Sequence, residues 1–71
     1  MVRDLNKLRQ LIGKNIKKYR LIAGFSKAEL ARRACISYSH YCAIENCKAN
    51  NPKLDTLCDI TDALGIEHVL I

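Results

Sequence analysis

GFSKAELARRACISYSHYCAIE, residues 24–45, is the stretch whose reading decides the fold. Ser26 is followed three residues later by Glu29, the spacing of a reciprocal capping box at the start of a helix. Leu30, Ala31 and Ala34 then share one face, while Lys27, Arg32 and Arg33 lie elsewhere. Cys35-Ile36-Ser37 interrupts the pattern, and Ser37 is placed to cap a second helix that carries Tyr41 and Ile44 inward at i, i+3. Phe25 stands just before the first cap, where it can staple against Leu30 and fix the angle of chain entry. The result is two short helices joined by a tight turn.

Upstream, Leu8, Ile12, Ile16 and Tyr19 repeat at three and four and predict one helix over residues 5–23. Asp4 suits its first turn, Arg20 its last, and Gly24 its end. Gly13 interrupts this run at a cost of about 1 kcal/mol relative to Ala. Lys14, Lys17 and Lys18 occupy its remaining surface. Downstream, Asn50-Asn51-Pro52 breaks the chain, and Leu54, Leu57, Ile60 (or Thr61) and Leu64 predict a helix over 54–63 that Gly65 ends. The pair in the middle spans about 27–34 and 38–46. A last short helix over 66–70 is expected from Ile66, Val69 and Leu70, either packed on the core or engaged in self-association. Residues 1–71 thus read as a single all-α domain with a small core.

Charge is distributed unevenly. Residues 1–36 hold ten of the twelve Lys and Arg against Asp4 and Glu29, whereas residues 37–71 carry a net charge of −3 within a total of +5. A basic first half favours a polyanion. Two short helices and a turn in such a chain are the pattern of a helix-turn-helix.

The four cysteines, Cys35, Cys42, Cys47 and Cys58, have no CxxC spacing and no well-placed histidine, so neither a metal site nor a cofactor is expected. With no secretory leader or long apolar run read from the sequence, they are expected to be reduced thiols of a cytoplasmic protein, with Cys58 and Cys35 packed as small hydrophobes. His40 and Cys42 lie at i, i+2 and point apart on a helix. No catalytic residue is expected, and no membrane partner.

At this point the residues resemble a known family. Ile12-Gly13, Ile16, Arg20, Gly24-Phe25-Ser26, Glu29-Leu30-Ala31, Ala34, Ile36-Ser37, Tyr41, Ile44-Glu45, Asn51-Pro52, Leu54, Leu57, Ile60 and Ala63-Leu64-Gly65 match the Cro/C1-type, XRE-like helix-turn-helix family of small phage repressors. The resemblance implies a compact five-helix, lambda-repressor-like domain whose second and third helices read DNA. It implies a structural ion pair between Arg20 and Glu45. It implies base contacts from Tyr38, Ser39 and Ala43, with His40 between base and phosphate reach, and phosphate contacts from Lys27, Asn46, Lys48 and Asn51. Tyr38 can set its ring against a thymine methyl and Ser39 can hydrogen-bond an acceptor.

Departures from the family are visible. No Gln, Arg or Asn stands at 38, 39 or 43, so either base reading leans on apolar contact and DNA shape, or the operator is short and the affinity modest. Cys47 replaces the usual glycine, so that either a side chain is held at positive φ or the turn is rebuilt. The function expected is sequence-specific double-stranded DNA binding by a homodimeric transcriptional repressor. The alternatives are an antitoxin-type regulator or a module turned to a protein partner, docking through Tyr38, His40 and Tyr41.

Overall fold

The computed structural model describes residues 5–48 and 52–67. Four helices run in order: α1 (Leu5–Ala23), α2 (Lys27–Arg33), α3 (Tyr38–Glu45) and α4 (Leu54–Leu64). α2 and α3 each stop one residue short of the extent expected from sequence, and α4 runs one residue further. The segment expected to form a fifth helix, 66–70, lies mostly outside the described residues, and Ile66 and Glu67 are not helical.

Both central helices start as their sequences dictate. The Ser26 hydroxyl accepts from the Glu29 amide and the Ser37 hydroxyl from the His40 amide, each at 3.1 Å. Each bond satisfies one of the donors a helix start leaves unpaired. The Glu29 carboxylate, however, does not complete the reciprocal box. Arg32 and Arg33 hold it instead.

All four described helices end in the same way. The residue after each last turn takes a left-handed backbone: Gly24 at φ 79°, Cys35 at 60°, Cys47 at 65° and Gly65 at 71°. The next amide then reaches back five residues, Phe25 to Arg20, Ile36 to Ala31, Lys48 to Ala43 and Ile66 to Thr61, at 2.8–3.1 Å. This is the Schellman closure, which satisfies carbonyls that a helix end leaves free. Glycine does this without strain at two ends; at the other two, cysteine must. Cys35 is consequently exposed rather than packed as a small hydrophobe. Its position is set by the turn it makes, not by its polarity.

The core joins Ile16 of α1, Leu30, Ala31 and Ala34 at α2, Tyr41 and Ile44 of α3, and Ile60 of α4. Ile12, Phe25, Ile36, Leu57, Ala63 and Leu64 pack around it. Leu8 and Leu54, the first apolar residue of each expected stripe, are 53% and 78% exposed and lie outside this cluster. Each sits in the first turns of its helix, and both line an open apolar groove between α1 and α4.

Gly13 marks the tightest approach. A Cβ there would lie 2.7 Å from the Glu45 carbonyl oxygen and 2.8 Å from the Cys47 sulfur. The glycine that weakens α1 as an isolated helix is what lets α1 seat against the end of α3.

Candidate nucleic-acid interface

α3 is held from inside by three buried residues, Tyr41, Ile44 and Glu45. Glu45 receives a two-pronged hydrogen bond from Arg20, Nε to Oε2 at 3.1 Å and Nη2 to Oε1 at 3.0 Å. The remaining Arg20 nitrogen, Nη1, donates to the Phe25 carbonyl at 2.8 Å. The Tyr41 hydroxyl donates to Glu45 Oε2. One arginine therefore ties α1 to the end of α3 and to the entry of α2, in the planar geometry that suits guanidinium and carboxylate. No buried side-chain nitrogen or oxygen among the described residues is left without a partner.

The electrostatics follow from this geometry. Burial pushes the Glu45 carboxyl up, but hydrogen bonds from Arg20 and Tyr41 outweigh it and hold the group below the usual carboxylate value. Burial, reinforced by the Glu45 carboxylate, pushes the Tyr41 hydroxyl well above the ordinary phenol range. The cluster is charged, paired and closed to proton exchange near neutrality.

With Tyr41, Ile44 and Glu45 inward, the helical period turns Ser39, Ala43 and Asn46 outward on one line. Tyr38 and His40 flank that line on opposite edges. Tyr38 is 54% exposed; Ser39, His40 and Asn46 are exposed, and Ala43 is half-buried. The Cys42 thiol, one turn beyond Tyr38, raises the Tyr38 hydroxyl above its ordinary range. Lys48 is exposed in the turn that follows α3, and Lys27 is half-buried at the first position of α2. Lys27 also helps to hold Glu45 ionised, although it contributes least among the named groups. Asn51 lies outside the described residues. The base-facing and phosphate-facing candidates that are described thus fall on α3, its following turn and the start of α2.

Two contributors to this arrangement escaped the sequence reading. The Tyr41–Glu45 bond has an i, i+4 signal, but apolar patterning absorbs Tyr41 into the core before its hydroxyl is considered. The close approach at Gly13 has no signal in one sequence beyond the glycine itself.

Among the described residues, no group of three or more His, Cys, Asp or Glu side chains is placed to hold a metal ion. No helix there is long and apolar enough to cross a membrane.

A profile of the helix-turn-helix family HTH_3 matches residues 16–71, from the middle of α1 onward. The chain belongs to this helix-turn-helix family. The match agrees with the resemblance to Cro/C1-type, XRE-like proteins. The chain is also similar to two transcriptional regulators. The HTH-type transcriptional regulator SinR of Bacillus subtilis is 34% identical over 62 residues, which cover 86% of this chain and 56% of SinR. This chain therefore spans little more than half the length of that relative. The uncharacterized HTH-type transcriptional regulator y4dJ of Sinorhizobium fredii is 31% identical over 62 residues, covering 87% of this chain and 79% of y4dJ. Among solved structures, a hypothetical transcription factor NHTF from Neisseria superposes with a TM-score of 0.85 at 26% identity, over 99% of this chain and 78% of that one.

Proposed function

We propose that this helix-turn-helix chain binds double-stranded DNA in a sequence-specific manner and regulates transcription, as a homodimeric repressor in the cytoplasm. The observation that carries this reading is the division of labour on α3. Its inward face is fixed by Tyr41, Ile44 and the Arg20–Glu45 pair, while Tyr38, Ser39 and Ala43 face outward where a major groove can take them. The basic surplus of residues 1–36 supplies a sequence-independent attraction. SinR and y4dJ, both described as transcriptional regulators, support the same assignment.

In this mechanism phosphate contacts from Lys27, Asn46 and Lys48 set the pose, and α3 enters the groove. A dimer places its two reading helices ~34 Å apart to meet successive grooves on one face of B-DNA. Promoter occlusion then follows from occupancy alone. No residue is assigned a catalytic role.

The competing reading, docking of a protein through Tyr38, His40 and Tyr41, loses one of its three residues because Tyr41 is fully buried. An antitoxin-type regulator remains compatible with the same DNA-binding surface.

Selection from a pool of random duplexes at two salt concentrations tests the proposal. The expected result is an enriched palindromic sequence bound with an affinity that falls as salt rises. Absence of binding at low salt would overturn it.

A further inference from the structure

The seam between α1 and the turn after α3 carries a charge that the contacts of α2 and α3 do not use. At Gly13 the α1 backbone lies against the Glu45 carbonyl and the Cys47 sulfur. Two turns later, Arg20 grips the Glu45 carboxylate. Lys17 stands between these two anchors, four residues after Gly13 and three before Arg20, and so shares their face of the helix. Both neighbours touch the end of α3, yet Lys17 itself is exposed. On the other side of the seam, Asn46 and Lys48 are exposed as well.

Neither carboxylate of residues 5–48 is available to neutralise Lys17. Between residues 5 and 48 the acids are Glu29 and Glu45. Arg32 and Arg33 occupy the first, and Arg20 occupies the second. Lys18, by contrast, points about 100° further round the helix, where its ammonium lies 5.5 Å from the centre of the Tyr19 ring.

We propose that Lys17 is a DNA phosphate contact, extending the phosphate-binding edge formed by Asn46 and Lys48 onto α1. This rests on the DNA-binding reading above. The close approach at Gly13 is what makes the extension work, because it brings the α1 backbone level with the end of α3. An ammonium on α1 then reaches the same strand of backbone that the following turn touches. Lys17 adds affinity without base preference, since a phosphate is the same at every step.

The test is the salt dependence of binding to the duplex enriched by the native chain. In a potassium chloride series, Lys17→Gln is expected to reduce the log–log slope by about 0.9 per chain and to leave the ranking of duplex sequences unchanged. Lys17→Arg, which keeps the charge, is expected to restore the slope. Lys18→Gln is expected to leave it alone. An unchanged slope in Lys17→Gln, or an equal loss in Lys18→Gln, overturns the assignment while leaving DNA binding intact. A native chain whose binding shows no salt dependence overturns the DNA-binding reading and this contact with it.

Discussion

The backbone of Gly13 rests against the carbonyl oxygen of Glu45, so closely that a β-carbon would stand 2.7 Å away. The same Glu45 receives the guanidinium of Arg20 through its side chain. Main chain and side chain of one residue thus fix where α1 meets α3.

Gly13→Ala therefore reverses the usual rule for helices. In an open helix this change gains about 1 kcal/mol. Here the new methyl meets two backbone carbonyls that cannot yield without moving α3, and overpacking of this kind costs about 1–3 kcal/mol. A net loss is expected in urea unfolding. A gain would show that α1 does not sit this close.

The Arg20–Glu45 pair gives stability a dependence on acid. Glu45 has a folded-state pKa below the ordinary carboxylate value of 4.5, so the unfolded chain takes up its proton first as pH falls. The contribution is fully present above that value and is lost as pH drops through the lower folded value. Glu45→Gln should be less stable at neutral pH and should lose less on acidification than the native chain. Replacing Arg20 by Met leaves the carboxylate buried alone and is expected to cost about 3–5 kcal/mol. Unfolding midpoints across the acid range check both.

Cys35 offers a cleaner case of backbone strain than Cys47. It is exposed at φ 60°, so its replacement removes little packing. Cys35→Gly relieves a left-handed penalty of about 1–2 kcal/mol, against an unfolded-chain entropy term of about 0.4–1 kcal/mol. A small net gain in melting temperature is expected. Cys35→Ala keeps the strain and should change little, which separates backbone conformation from loss of the thiol.

On DNA, Tyr38 and Lys48 should fail differently. Tyr38→Ala is expected to relax preference at one base pair of each half-site, by about 1 kcal/mol if a thymine methyl is the partner. Lys48→Gln should weaken all duplexes evenly and reduce the salt slope by about 0.9. Binding to a panel of single-base variants distinguishes the two patterns.

These outcomes also mark what the amino-acid order could and could not reveal. Helix starts were legible because Ser26 and Ser37 act within three residues of themselves. Two helix ends were legible because they are glycine. The break at Cys35-Ile36-Ser37 was legible too, but not the left-handed turn or the exposure of Cys35, because a cysteine carries no local signature of that backbone and its polarity suggested burial. Arg20 and Glu45 lie 25 residues apart, and only the family resemblance suggested pairing them. The triple engagement of Arg20, including the Phe25 carbonyl, depends on how three helices converge and has no sequence period. Leu8 and Leu54 follow the apolar spacing but line an open groove between α1 and α4, a placement that periodicity does not encode.

α2 and α3 contain only seven and eight residues, well under the ~12–15 that an isolated helix needs in water. α3 has no shape of its own; it borrows one from the three residues that anchor it. Those anchors leave Tyr38 and Ser39 exposed, with little part in folding, while Ala43 is half-buried. Under the proposed DNA-binding mode, a lineage carrying this domain can exchange its exposed α3 residues and acquire a new operator while its stability stays nearly constant. Drift at Gly13, Arg20 or Glu45 has no such freedom.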